Sequence, residues 1–143
     1  MKLQQISVFL PNQPGALIGP SRLLSTAGID IRTLSLADTQ QFGILRLIVS
    51  DWARADELLK EAGFVTRITE VIAVEIPDHP GGLTDVLTAL ESTGVSVEYM
   101  YAFTEGRAGK AVLIFRFDEP DRAMAALQAA GFSVLAEVDV YNR

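Results

Sequence analysis

Cysteine is missing from this sequence, and histidine and tryptophan occur once each, as His79 and Trp52. Without thiols there can be no disulfide framework, thiolate metal site or cysteine nucleophile. A single histidine leaves a transition-metal site short of nitrogen donors, and it leaves a hydroxyl nucleophile without an oriented base. No apolar run approaches the roughly 18 residues of a membrane span. Met1-Lys2-Leu3 runs directly into an alternating pattern with no charged-then-apolar leader, so a soluble, cytoplasmic protein is expected. Basic residues are outnumbered, 12 Lys and Arg against 18 Asp and Glu, for a net charge of −6. They form no stripe that could neutralise phosphates, which excludes a nucleic-acid reader. Residues 1–72 carry seven of each sign, whereas residues 73–143 carry five basic and eleven acidic. The second half therefore holds the whole excess and exerts a weak pull on cations.

What is present is a repetition. Pro11-Asn12-Gln13-Pro14-Gly15-Ala16-Leu17 returns sixty-six positions later as Pro77-Asp78-His79-Pro80-Gly81-Gly82-Leu83. Val8 matches Val74, Leu24 matches Leu90, Gly28 matches Gly94, Gly43 matches Gly109 and Leu47 matches Leu113, all without a gap. A two-residue insertion is then expected before Gly63-Phe64 meets Gly131-Phe132. Turn and core residues that match over a whole half-chain point to an internal duplication of about seventy residues. Two small domains follow, residues 1–70 and 71–143. Each is marginal alone, because small domains bury a modest fraction of their surface.

Hydrophobic spacing gives the elements. Leu3, Ile6, Val8 and Leu10 alternate as a strand closed by Pro11 and Pro14. Leu17, Ile18, Leu23, Leu24 and Ala27 recur at helical spacing up to Gly28. The proline of Gly19-Pro20 predicts a kink or a late start in that helix, with no counterpart at Asp85-Val86. Strands over Ile29–Leu36 and Ile44–Val49 flank a hairpin at Thr39–Gly43. Ser50 or Asp51 can cap a helix over Ala53–Ala62, and Val65–Ile76 is extended. The second half predicts a strand at Val71–Ile76, a helix at Gly82–Thr93, strands at Val95–Phe103 and Ala111–Phe117, a helix at Glu119–Ala130 and a strand at Ser133–Tyr141. Asp118-Glu119-Pro120 supplies a cap and an early proline. The expected class is α+β: two ferredoxin-like βαββαβ domains in tandem, each an antiparallel sheet with helices on one face. The other face is then bare and needs cover, which predicts a homodimer.

In both halves a first strand runs into Asn/Asp-x-Pro-Gly-x-Leu, and the following helix closes on Gly before a branched-x-branched strand. Asn12–Leu17 with Ala27-Gly28-Ile29-Asp30-Ile31 carries this pattern first, and Asp78–Leu83 with Thr93-Gly94-Val95-Ser96-Val97 carries it again. Over nearly the whole chain it resembles a tandem ACT domain protein. The resemblance implies amino-acid sensing, with the ligand at an interface between two ACT units near the turns that join first strand to first helix. It also implies regulation of an enzyme or DNA-binding domain, and this sequence contains neither.

The turn residues suit a zwitterion. Gly15 and Gly81 bare the backbone before a helix, where unpaired N–H groups and the positive dipole end favour a carboxylate. Asn12 and Asp78 offer oxygens to an ammonium group, and small Ala16 and Gly82 leave room above the helix start. Ile31, Leu34, Val97 and Met100 could meet the ligand side chain, which favours aromatic or branched amino acids. Pro14, Leu17, Leu83 and His79 complete the candidate set, and the second turn is favoured because Asp78, His79 and Gly82 together offer charge, an imidazole and space. Competing readings are structural. Asn or Asp at this position often caps a helix, Pro-Gly often makes a plain turn, and His79 fits an exposed turn. Tyr99–Phe103 fits an apolar core strand, Trp52 a packing residue and Glu105–Lys110 a solvated hairpin tip. The leading function is thus a non-catalytic, cofactor-free amino-acid-binding protein with a possible enzyme partner. The alternative is a ligand-free scaffolding subunit that binds a partner protein. An enzyme ranks third, because no converging acid, base or arginine set is visible.

Overall fold

The structure, a computed structural model, describes residues 2–39, 41–103 and 109–141, with only the backbone at Val138. The predicted hairpin residue Gln40 and the loop-tip residues Glu105 to Ala108 lie outside the described residues. The elements run β1 (Leu3–Pro11), α1 (Ile18–Thr26), β2 (Ile31–Asp38), β3 (Phe42–Val49), α2 (Trp52–Glu61), β4 (Val65–Pro77), α3 (Gly82–Glu91), β5 (Val97–Ala102), β6 (Lys110–Phe117), α4 (Pro120–Ala129), β7 (Ser133–Val134) and α5 (Glu137–Tyr141). Two compact units divide within β4. An N-terminal unit takes residues 4–69 with Tyr141, and a C-terminal unit takes Lys2, Leu3 and residues 70–140.

In the N-terminal unit β3 lies between β2 and β1 in an antiparallel sheet, and β4 neighbours β1. Period-2 alternation places Ile6, Val8 and Leu10 of β1 on one face with Leu45 and Leu47 of β3. That face packs on Leu24 of α1 and on Ala55 and Leu59 of α2. Helix α2 starts where the Asp51 side chain accepts the Arg54 N–H at 3.2 Å. It stops where Gly63, at φ +90°, returns its N–H to the Lys60 carbonyl and Phe64 returns its own to Leu59. This is the glycine-terminated closure that a left-handed residue permits.

The C-terminal unit repeats the arrangement, with β6 between β5 and β4, and β7 pairing on β4. Ile72, Val74, Val86, Leu90, Phe115, Phe117, Ala123 and Leu127 form its core. The Phe115 and Phe117 rings stack with centroids 5.2 Å apart. Even an irregularity repeats. The ladder slips between Ile31 and Thr33 in one unit and between Val97 and Tyr99 in the other.

Strand pairing relocates the insertion. Ile6 faces Leu47 in the first unit, but Ile72 faces Phe115 in the second. β3 therefore corresponds to β6 with an offset of sixty-eight, not sixty-six. The two extra residues lie in the β5–β6 connection, upstream of the expected place, and the Gly43–Gly109 and Leu47–Leu113 matches are out of structural register. A hairpin tip absorbs added residues, whereas a strand interior would flip every side chain to the other face.

Other expectations also change. The final strand covers only Ser133–Val134, and the chain then turns helical. There Asp139 accepts the Ala136 N–H through its side chain, and Glu137 and Asp139 place negative charge at the helix start. Helix α1 begins at Ile18, two residues later than the equivalent start of α3, as Pro20 predicts. Asp118 does not cap α4: its carboxylate takes the Ser96 N–H, and Pro120 opens the helix instead. The sheet faces turned away from the helices are bare only in part, at Phe9 and Phe42. Val71, Ala73, Val112 and Ile114 are buried in the single chain, and so are Gln5, Ser7 and Thr33. The strand around Tyr99 and Tyr101 is half-buried. Among the described residues no helix is long and apolar enough to cross a membrane.

Lys2 donates to Asp121 at 2.9 Å and lies 3.7 Å from Glu70. The Asp121 hydrogen bond holds its ammonium above the ordinary lysine value. Whatever this surface contact contributes is present at neutral pH and is lost only as alkaline pH passes the raised value.

Urea unfolding should find Asp51→Ala less stable by about 1 kcal/mol, for the lost cap. Phe115→Ala should lose about 3–5 kcal/mol, because a buried stacked ring leaves a cavity.

Candidate functional site

Both strand-to-helix turns are built alike. The Gln13 N–H returns to the Pro11 carbonyl at 2.9 Å and the His79 N–H to the Pro77 carbonyl at 3.1 Å. The Ala16 N–H reaches the Gln13 carbonyl at 3.3 Å, and the Gly82 N–H reaches the His79 carbonyl at 3.1 Å. Gly15 and Gly81 take φ of +81° and +93°, a conformation that glycine adopts without steric cost. Their N–H groups meet no protein acceptor among the described residues. Neither Asn12 nor Asp78 caps a helix. The residues flanking α1 and α3 are Leu17 and Gly81, and neither helix start has a side-chain cap. Both helix starts therefore keep open donors beside exposed polar side chains.

A cavity of about 100 Å³ opens at the first turn, lined by Leu10, Pro11, Asn12, Gln13, Ala16, Leu17, Leu36, Ala37, Asp38 and Gly43. Its position follows from register. β2 runs antiparallel to β3, so Asp38 pairs with Gly43, which in turn pairs with Leu10 at the end of β1. The C-terminal end of β2 is thus the end that reaches the turn. Of the candidate residues, Asn12, Ala16 and Leu17 line this cavity, and Pro14 and Gly15 belong to the same turn.

The expected strand contributors do not line this cavity. Ile31 pairs with Val49 at the far end of β2, and it lines a separate open depression of about 370 Å³ with Ser21, Ser25 and Asp30. Leu34 is 42% exposed and sits two residues short of the cavity; Leu36 occupies the wall instead. In the other unit Val97 pairs with Phe117, away from the turn, and Met100 packs against the core. The candidate set omits the lining residues Leu10, Pro11, Gln13, Leu36, Ala37, Asp38 and Gly43, and for Leu36 and Asp38 the sequence holds one usable signal. The period-2 series Leu34-Leu36-Asp38 extends along one strand face to the turn.

The second turn also departs from expectation. Gly82 leaves no room above α3: a side-chain carbon there would stand 2.5 Å from the Pro77 carbonyl oxygen and 3.4 Å from Ile76. Its smallness lets the helix start pack on the end of β4. His79 is exposed, and its Nδ1 lies 2.8 Å from the Pro80 carbonyl, a hydrogen bond within its own turn. Asp78 is exposed, with its backbone N–H held by the Gly109 carbonyl at 2.8 Å. Leu83 is 40% exposed beside it. Among the described residues no group of three or more His, Cys, Asp or Glu could hold a metal ion.

A family model described as an ACT domain pair matches residues 1–142. Among solved structures, protein BT0572 from Bacteroides thetaiotaomicron is 34% identical. Its match covers 100% of this chain and 98% of that one, at a TM-score of 0.94. The ligand-free regulatory subunit of aspartate kinase from Thermus thermophilus is similar at 19% identity and a TM-score of 0.63, over 90% of this chain and 92% of that one. The Thermus flavus regulatory subunit gives 19% and 0.61, over 89% and 91%. At that identity the two Thermus proteins share the fold. A comparison with curated proteins gives no match.

The two glycines should separate in thermal unfolding. Gly81→Ala forces an L-residue into the left-handed region at about 1 kcal/mol. Gly82→Ala also drives a carbon into backbone and should lose more, up to about 3 kcal/mol. Equal losses would contradict the packing role of Gly82.

Proposed function

The chain belongs to the ACT domain pair family, and on that premise we propose that it is a non-catalytic regulatory protein that binds a free amino acid at the strand-to-helix turn of its N-terminal unit. One observation carries the reading. The cavity at that turn combines the polar side chains of Asn12 and Gln13 with apolar Leu10, Leu17 and Leu36, in the same turn as Gly15, whose N–H meets no protein acceptor among the described residues. A carboxylate is favoured at such a helix start by the unpaired donors and the positive dipole end. Polar groups that fix orientation within a mostly apolar lining are what small-molecule sites need.

The cavity is far smaller than the roughly 300–1,000 Å³ of an enclosing ligand site. A second copy of the chain supplies the rest. Leu36, 57% exposed, stands in the cavity wall, and covering it buries apolar surface while closing the site. A homodimer is therefore part of the proposal, and light scattering at micromolar concentration should give twice the chain mass. The output is regulation of a partner enzyme, whose affinity or activity changes with ligand occupancy.

A thermal-shift screen of the twenty amino acids tests the binding. At a concentration one hundred times Kd, a ligand adds about 2.7 kcal/mol to the native state, a shift of several degrees. Gly43→Ala provides the site control. Its added carbon would meet the Leu36 side chain at 3.6 Å, an ordinary contact, so it narrows the cavity without straining the fold. It should lower affinity at least tenfold and leave the unliganded melting temperature near the wild-type value. Flat responses to all twenty amino acids would end this reading.

A further inference from the structure

Resting on the amino-acid reading above, we infer that Asp38 anchors the ligand's α-ammonium group, and that the N-terminal site takes small aliphatic amino acids and rejects acidic ones. Among the described residues, Asp38 is the only ionisable one in the cavity lining. Among the described residues it makes no ion pair, and no basic residue shares the lining to neutralise it. It pairs with Gly43, which is paired with Leu10 in turn. The carboxylate therefore lies across the sheet end from the turn that carries Gly15.

The two walls differ in electrostatic sign. The turn side carries Gly15, whose N–H meets no protein acceptor among the described residues, and leads to the start of α1, which has no acidic residue in its first turn. The strand side has one carboxylate. An amino acid has the matching pair of charges on one carbon. Once its carboxylate lies at the turn and its ammonium at Asp38, the side chain meets Leu10, Leu17 and Leu36. A second carboxylate would be placed among leucines near a like charge, and both effects oppose binding. About 100 Å³ leaves space for a short aliphatic chain.

The repeat does not duplicate this anchor. Leu36 and Asp38 correspond to Ala102 and Thr104, and the carboxylate of the second unit stands instead at Asp78, where the first has Asn12. The selectivity inferred here belongs to the first turn alone.

Isothermal titration of the full chain tests the assignment with three probes: L-leucine, 4-methylpentanoate (leucine without its ammonium) and L-glutamate. The wild type should bind L-leucine about tenfold more tightly than 4-methylpentanoate, as expected for a unit charge near a partly solvated carboxylate. L-Glutamate should bind more weakly still. Asp38→Asn, at an exposed position, should keep the melting temperature, lose about tenfold for L-leucine and leave 4-methylpentanoate unchanged. That pattern isolates the pairwise coupling. An equal effect of Asp38→Asn on both probes, or L-glutamate binding as tightly as L-leucine, overturns the inference while leaving amino-acid binding intact. Binding of an aromatic or charged amino acid when none of alanine, valine, isoleucine and leucine binds has the same consequence. Failure of all twenty amino acids removes the underlying reading as well.

Discussion

Antiparallel register is the constraint on which the site depends. Because β3 pairs with both β1 and β2, the residue at each height of one strand dictates its neighbours on the other two. Leu10, Gly43 and Asp38 share one such row, and the chain leaves β1 one residue beyond it. The cavity at the first turn is a consequence of that row. A slip of one position would turn Leu36 and Asp38 to the other face and leave Ala37 at the wall.

The second requirement is a backbone that can turn sharply from strand into helix. A left-handed glycine achieves this in each unit, and its own amide meets no protein acceptor among the described residues. Close packing then separates the two copies. Ala16 fits the first unit, whereas the tighter approach of α3 to Pro77 admits only glycine at position 82. Proline at position 20 delays the first helix by two residues and leaves a longer stretch of turn beside the cavity. Duplicated sequence has thus become two differently shaped turns, and the cavity described here belongs to the first.

Much of this was legible in the residues. Pro-Gly turns, helix-ending glycines and alternating strands placed the main elements of both repeats, because those signals are local and strong. Three things were not legible. The insertion was misplaced because Gly43–Gly109 and Leu47–Leu113 are identities between common residue types, and only pairing distinguishes register from coincidence. The last strand is overextended because Val134, Ala136, Val138 and Val140 alternate as a strand would, whereas Asp139 closes a helical turn on Ala136. Apolarity alone points to Ile31, Leu34, Val97 and Met100, but which end of an antiparallel strand meets a turn is a tertiary property.

The central claim is that the first turn receives a small dipolar ligand through the backbone. A titration of 15N-labelled protein with L-leucine, followed by amide NMR, tests it most directly. The account predicts that the Gly15 amide shows a large saturable shift, accompanied by Leu36 and Asp38, while Gly81 stays unmoved. Saturable shifts that spare Gly15 and cluster elsewhere would contradict it.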